Sequence, residues 1–209
     1  MGNIKIGKMV LGMIETNCYF LYDEATKEAI VVDPAKRGVI EKLTANGINP
    51  VAVILTHGHF DHIMGVHEMQ DKGCKVYVLK EEEALCKDAN LNASADIRKP
   101  YIIEPDVYVT DGEEITIAGI TLKVIATPGH TAGSCCYYIP SEDWLISGDT
   151  LFRGSIGRSD LPTGSEEAIL KSVNMLLDCE KFNDDTKVYP GHGDTTTIGF
   201  ERKYNPFRS

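Results

Sequence analysis

Residues 51–65 read VAVILTHGHFDHIMG. The first five are wholly apolar and read as a buried strand, while the residues after them take up helical spacing through 62–72. Between the two, three of the chain's six histidines fall within six residues, as His57, His59 and His62, with Asp61 among them. In extended backbone His57 and His59 point to the same side. Asp61 and His62 lie around the turn into the helix, where they can converge on a second nearby point. One strand end thus carries four ligand-type side chains, more than a single tetrahedral zinc with an open water position needs. An isolated histidine is more often a satisfied core or surface residue, but this density of ligand types reverses that balance.

Outward from this stretch, strands alternate with helices. KIGKMVLG, NCYFLYD and EAIVVDP read as strands, the last ended by Asp-Pro. Residues 37–46 carry helical spacing in Val39, Ile40 and Leu43 and close at Gly47. After the 62–72 helix, KVYVL reads as a strand and the acidic EEEALCKDAN as a helix. The second half repeats the order, with strands in DVYVTDG, EEITIAG, ITLKVIATPG, SCCYYIP and DWLISGD, a helix over 165–177, and a last strand in KVYPGHG. No linker or low-complexity segment interrupts it. The pattern predicts an α/β sandwich in one domain over residues 1–209, with helices outside packed sheets.

Three more ligand-type residues share the local context of His57. His130 follows ITLKVIATPG, Asp149 follows WLISG, and His192 follows KVYPG, each after a short apolar strand and a glycine turn. Strand ends are where loops converge on sites in α/β folds. The remaining histidine, His67, lies in the helix and reads as structural. Seven ligands suit two metals. One possibility puts His57, His59 and His130 on one ion and Asp61, His62 and His192 on the other, with Asp149 bridging. Imidazole and carboxylate donors suit zinc, and also iron or manganese.

Composition narrows the partners. The chain has 209 residues, 43% hydrophobic and 25% charged, ordinary for a globular protein and enough for a large core without disulfides. Its formal charge of −10 disfavours nucleic acid and anionic membrane as partners. No export signal is evident and the longest apolar runs cannot span a bilayer, so a soluble cytoplasmic protein is expected. The six cysteines form no C-x-x-C pair and read as free thiols, with Cys135 and Cys136 on opposite faces of one strand.

THGHFDH at 56–62, TPGHT at 127–131, SGDT at 147–150 and PGH at 190–192 resemble the metallo-β-lactamase fold superfamily. GDTLFRGSIGRSDLPTG at 148–164 is similar to the corresponding stretch of single-domain, glyoxalase II-like hydrolases. The resemblance implies an αββα four-layer sandwich of two mixed sheets and a dinuclear metal centre with the ligand split given above. It also implies hydrolysis of a small-molecule thioester such as S-D-lactoylglutathione by a metal-bridging hydroxide that Asp61 helps orient. Only 17 residues follow His192, which cannot form the helical C-terminal region of two-domain glyoxalase II enzymes. Arg158, and after it Arg153, are the internal candidates for an anionic substrate group.

Other members of the fold set the alternatives. A mononuclear iron persulfide dioxygenase would use His57, His130 and Asp149, and the stretch Gly157-Arg158-Ser159-Asp160 is compatible with it. Nucleic-acid processing members carry an extra substrate domain for which there is no room. β-Lactamases of the fold carry His, not Asp, at the position of Asp149, or change ligands elsewhere, and are normally exported. The non-enzyme alternative is a binding protein that keeps metal for stability, for which a double, water-accessible site is excessive.

Overall fold

Strand and helix boundaries in the computed structural model, which describes residues 3–208, follow the apolar periodicity closely. In the first half the chain forms β1 (Ile4–Leu11), β2 (Thr16–Asp23), β3 (Glu28–Val32), α1 (Val39–Ala45) and β4 (Asn49–Ile54). It continues through α2 (Phe60–Ile63), α3 (Val66–Asp71), β5 (Lys75–Leu79), a 3₁₀ turn running into α4 (Glu83–Lys87), and β6 (Val107–Val109). The second half holds β7 (Glu114–Ile117), β8 (Ile120–Ala126), β9 (Cys135–Ile139), β10 (Trp144–Gly148), and a small hairpin of β11 (Leu151–Phe152) and β12 (Ser155–Ile156). It ends with α5 (Glu166–Asp178), β13 (Lys187–Pro190), β14 (Thr196–Thr197) and α6 (Ile198–Tyr204).

β1 to β6 form one sheet in chain order, antiparallel through β3 and parallel from β3 to β6. The second sheet runs β14-β13-β10-β9-β8-β7, with β10 and β13 parallel and the other pairs antiparallel. Both sheets are therefore mixed. Strand alternation sorts their side chains into separate cores. Ile30, Val32 and Ile54 join Leu122, Tyr137 and Ile146 between the sheets. Val31 and Val53 face outward onto Val39 and Leu43 of α1 and Met69 of α3. On the far side Cys136, Leu145 and Val188 meet Ile169, Val173 and Leu176 of α5. Three apolar layers between four structural layers make the expected αββα sandwich. Each buried aliphatic side chain contributes about 1.5–3 kcal/mol relative to exposure.

Cys135 joins the inter-sheet core and Cys136 the layer under α5, so the two do face opposite ways. All six thiols are free, and burial pushes the Cys136 thiol up to about 12, which leaves it unreactive.

Local expectations fail in a few places. The single helix over 62–72 is broken into α2 and α3 at Gly65, whose amide donates to Pro34 O at 2.6 Å. A Cβ there would come within 2.6 Å of that same carbonyl, so this crossing needs glycine. The acidic 81–90 stretch is helical only as far as Lys87. The β11–β12 hairpin and α6, too short to show a periodic signal, are further elements. Among the described residues no helix is long and apolar enough to cross a membrane.

Candidate metal centre

Four strand ends deliver the cluster. β4 leads into His57 and His59, β8 into His130, β10 into Asp149 and β13 into His192, while α2 carries Asp61 and His62. Where these loops meet, His59 Nδ1 lies 2.9 Å and His57 Nε2 3.2 Å from His130 Nε2. A few ångströms away, Asp61 Oδ2 lies 3.3 Å from both His62 Nε2 and His192 Nε2. Asp149 stands between the two groups. Its Oδ2 is 3.6 Å from His130 Nε2 and 3.4 Å from His192 Nε2, and its Oδ1 is 3.5 Å from His62 Nε2. The donor atoms of His57, His59 and His130, and separately those of Asp61, His62 and His192, lie within 4.8 Å of one another.

The outer nitrogens decide which way the lone pairs face. His130 Nδ1 donates to the Arg158 carbonyl at 2.7 Å, and His192 Nδ1 to that of Ile14 at 3.0 Å. His62 Nδ1 donates to Asp33 Oδ2 at 2.9 Å. The Thr56 hydroxyl donates to Asp33 at 2.6 Å and so accepts from His57 Nδ1 at 3.1 Å. With Nδ1 turned outward onto an acceptor in each, the Nε2 atoms of these four imidazoles face inward, where a cation replaces any proton they carry. Among the described residues, three buried polar side-chain atoms of the cluster, His62 Nε2, Asp149 Oδ1 and the outward His59 Nε2, have no hydrogen-bond partner. Buried orphans are rare in native proteins and costly. Cations held in the cluster would satisfy His62 Nε2 and Asp149 Oδ1, while His59 turns its Nδ1 inward, so the residues present fit a metal centre.

Charge in the cluster says the same. Burial and the neighbouring imidazoles His62 and His130 hold His57 well below its ordinary value, and burial with His130 takes His59 to about 3. Burial alone would also lower His62, but Asp61, Asp149 and Asp33 surround it and raise it well above. His192, despite burial, is raised to about 9 by its bonds to Asp149 and Asp61. Burial would raise both carboxyls, yet His62 and His192 together hold Asp61 and Asp149 low. One half of the cluster thus offers neutral lone pairs and the other attracts positive charge.

Two carboxylates that the sequence reading passes over hold these ligands in place. Buried Asp33 takes the Thr56 amide, the Thr56 hydroxyl and His62. Glu82, 1% exposed, accepts from the amides of Gly58 at 2.8 Å and Gly133 at 2.9 Å and from the Thr131 hydroxyl at 2.9 Å. Glu82 therefore ties the loop of His57 and His59 to that of His130. Thr16 donates to Asp61 Oδ2 at 2.9 Å, and Asn17 Nδ2 holds the carbonyls of Pro190 and Gly193 beside His192. Gly191 is required for close approach, since a Cβ there would collide with Asp149 Oδ1.

The cluster floors a cleft of about 460 Å³ whose walls include Ile14, Phe60, Phe152 and Ile156. Arg158 lines it, but its guanidinium is held by Asp160 in two bonds of 2.7 Å. Arg153 does not reach this cleft. Its guanidinium lies over the Phe200 ring, in a separate cavity with Lys187 and Tyr189. His67 lies outside the cluster and packs against Tyr101.

With this arrangement established, comparison with known proteins places the chain. The family model described as the metallo-beta-lactamase superfamily matches residues 11–192. The chain belongs to that superfamily. An uncharacterized protein of Mycobacterium leprae is 39% identical over 94% of both chains. A probable metallo-hydrolase of Bacillus subtilis is 35% identical, over 98% of this chain and 97% of its own. The hydroxyacylglutathione hydrolase GloC of Haemophilus influenzae is 30% identical over 92% of both. Among solved structures, the BLEG-1 B3 metallo-beta-lactamase aligns with a TM-score of 0.88 at 39% identity, covering 97% of this chain and 99% of its own. The di-iron-bound form of TTHA1623 aligns at 0.82 with 33% identity, covering 96% and 99%.

Proposed function

We propose that this metallo-hydrolase cleaves thioesters of the kind S-D-lactoylglutathione represents. In this reading His57, His59 and His130 would hold one divalent ion and Asp61, His62 and His192 another, with Asp149 placed between the two groups to serve both. The observation that carries the reading is the inward convergence of imidazole lone pairs around a carboxylate on the floor of an open cleft. Identity of 30% to a hydroxyacylglutathione hydrolase supports a thioester as the bond cleaved. Zinc suits the donor set, and iron or manganese would also fit it. The di-iron neighbour supports keeping iron in view.

Bound there, two divalent ions supply Lewis-acid charge beside the carbonyl and a water acidic enough to react near neutral pH. In the reaction the water oxygen adds to the acyl carbon, the C–S bond breaks, and the thiol leaves with one of the water's protons. Asp61, with its Oδ2 fixed by the Thr16 hydroxyl, orients the attacking water from the cleft floor. Asp33 and Glu82 keep the ligand imidazoles aimed inward, so no reorganisation is needed as charge develops. With substrate filling the cleft, its apolar walls leave less water at the floor, which strengthens the charge interactions there. Arg158 stands at the mouth with Nε and Nη2 on Asp160, which leaves its Nη1 to meet an anionic substrate group.

Lactam hydrolysis is the second reading, favoured by the 39% identity to a B3 metallo-beta-lactamase. A three-arm assay separates the candidates: S-D-lactoylglutathione with thiol detection, a chromogenic cephalosporin, and glutathione persulfide in an oxygen electrode. Thioester turnover that dominates the other two supports the proposal. Dominant cephalosporin cleavage assigns the second reading, and oxygen uptake with one iron per chain assigns a persulfide dioxygenase.

A further inference from the structure

Beside the cleft runs a second cavity of about 730 Å³. Its walls are apolar, formed by Met13, Ile14, Phe60, Met64, Ile97 and Tyr101. Ile14, Phe60 and Asp61 line both spaces, so cleft and groove lie side by side and meet at these three residues, the Asp61 carboxylate among them. Met13 is 97% exposed and Ile14 51%, both in the loop between β1 and β2. Large apolar side chains left open along a continuous groove mark a binding surface rather than ordinary surface scatter.

Lys36, Arg37 and Lys99 line the same groove. Among the described residues Lys36 and Lys99 have no ion-pair partner, and Arg37, 79% exposed, only approaches Glu68 at 3.9 Å. The arginines singled out from the sequence are otherwise engaged, Arg158 by Asp160 and Arg153 by Phe200 in another cavity. Uncommitted positive charge is therefore on the groove side. Among the described residues that line the groove Asp61 is the one carboxylate, and it lies at the metal-cluster end.

We propose that this groove binds the acyl arm of the substrate, an apolar chain of several carbons that carries a negative group, with that group met by Lys36 and Lys99. The substrate class is then an amphipathic, anionic acyl thioester. The thioester itself rests on the function proposed above, but the preference of the groove for an apolar anion does not.

Methyl NMR on zinc-loaded protein labelled at Met and Ile tests the groove without turnover. Octanesulfonate should shift the Met64 and Ile97 methyl signals saturably, binding at least tenfold tighter than butanesulfonate. The double variant K36E/K99E should weaken octanesulfonate at least tenfold while leaving 1-octanol within about twofold, and M64D should weaken both. The same spectra report whether each variant is folded. Silent methyls, equal affinity for the short and long sulfonates, or indifference to charge reversal would overturn the proposal.

A kinetic arm compares S-(7-carboxyheptanoyl)glutathione with S-acetylglutathione. The ratio of their kcat/KM values should exceed ten in the native chain and fall toward one in K36E/K99E. Octanesulfonate binding as described, with no thioester hydrolysed, would refute the thioester reading and leave the groove. Thioester turnover with silent methyls and no chain preference would refute the groove and leave the thioester.

Discussion

Glu82 is the residue whose replacement most sharply tests how the metal-ligand loops are held. Its Oε1 accepts from the Gly58 amide, and its Oε2 accepts from the Gly133 amide and the Thr131 hydroxyl. In Glu82→Gln one oxygen becomes an NH₂ donor facing a donor, leaving at least one buried N–H unpaired, at a cost of about 1–3 kcal/mol. In Glu82→Ala both amides are orphaned, about 2–6 kcal/mol by the same measure. Thr131 loses less, because its hydroxyl keeps Ser134 Oγ at 2.6 Å. For a chain of this size each kcal/mol lowers Tm by roughly 2–4 °C. Misplacing ligands from the outer shell typically weakens metal binding about 10–100-fold. Urea melts of chelated protein measure the first effect, and zinc titration against a competing chelator the second.

Burial raises the Glu82 carboxyl to about 7, although its three hydrogen bonds act the other way. A folded value above the unfolded one means that the folded state keeps a proton the unfolded chain has released. The stability from this group is complete below about 4.5 and is lost as pH rises through about 7. Glu82→Gln should lack that decline. If both variants stay within about 0.5 kcal/mol of the native chain and bind zinc as tightly, the carboxylate is not the tie between the loops.

Asp33→Asn, which removes one of the oxygens serving Thr56 and His62, should weaken metal binding about 10–100-fold, read by competition titration. Gly191→Ala should lower metal content and activity together, since its Cβ collides with Asp149, and elemental analysis would register the loss. In chelated protein the raised value of His192 contributes stability below about 6.5 that is lost as pH climbs through about 9, so Tm should fall across that window. Metal-loaded protein should not show that fall, because the imidazole is then held as a neutral ligand.

The sequence discloses the cluster because its signal is local: four ligand-type residues fall between His57 and His62, and the other three each end an apolar strand. The sandwich is legible for the same reason, through strand alternation such as that of Val31, Val32, Val53 and Ile54. Asp33 and Glu82 are not legible, because their partners are distant in the chain. Asp33 meets His62 29 residues on and Glu82 meets Gly133 51 residues on, while locally they read as an Asp-Pro turn and an acidic helix. The break at Gly65 comes from the crossing of the Pro34–Lys36 backbone, a tertiary contact that periodicity cannot register. Arg158 is a subtler case. Its neighbourhood draws attention to the side chain, yet its carbonyl is what holds the His130 ring. The groove beside the site is assembled from loops around residues 13, 36, 64 and 99, and no single stretch announces it.

Stepwise zinc addition to chelated protein, with S-D-lactoylglutathione hydrolysis followed at each step, tests the central claim most directly. Activity absent at the start and rising to a plateau at two equivalents per chain is the expected result. Hydrolysis by metal-free protein, or none at two equivalents, would contradict it.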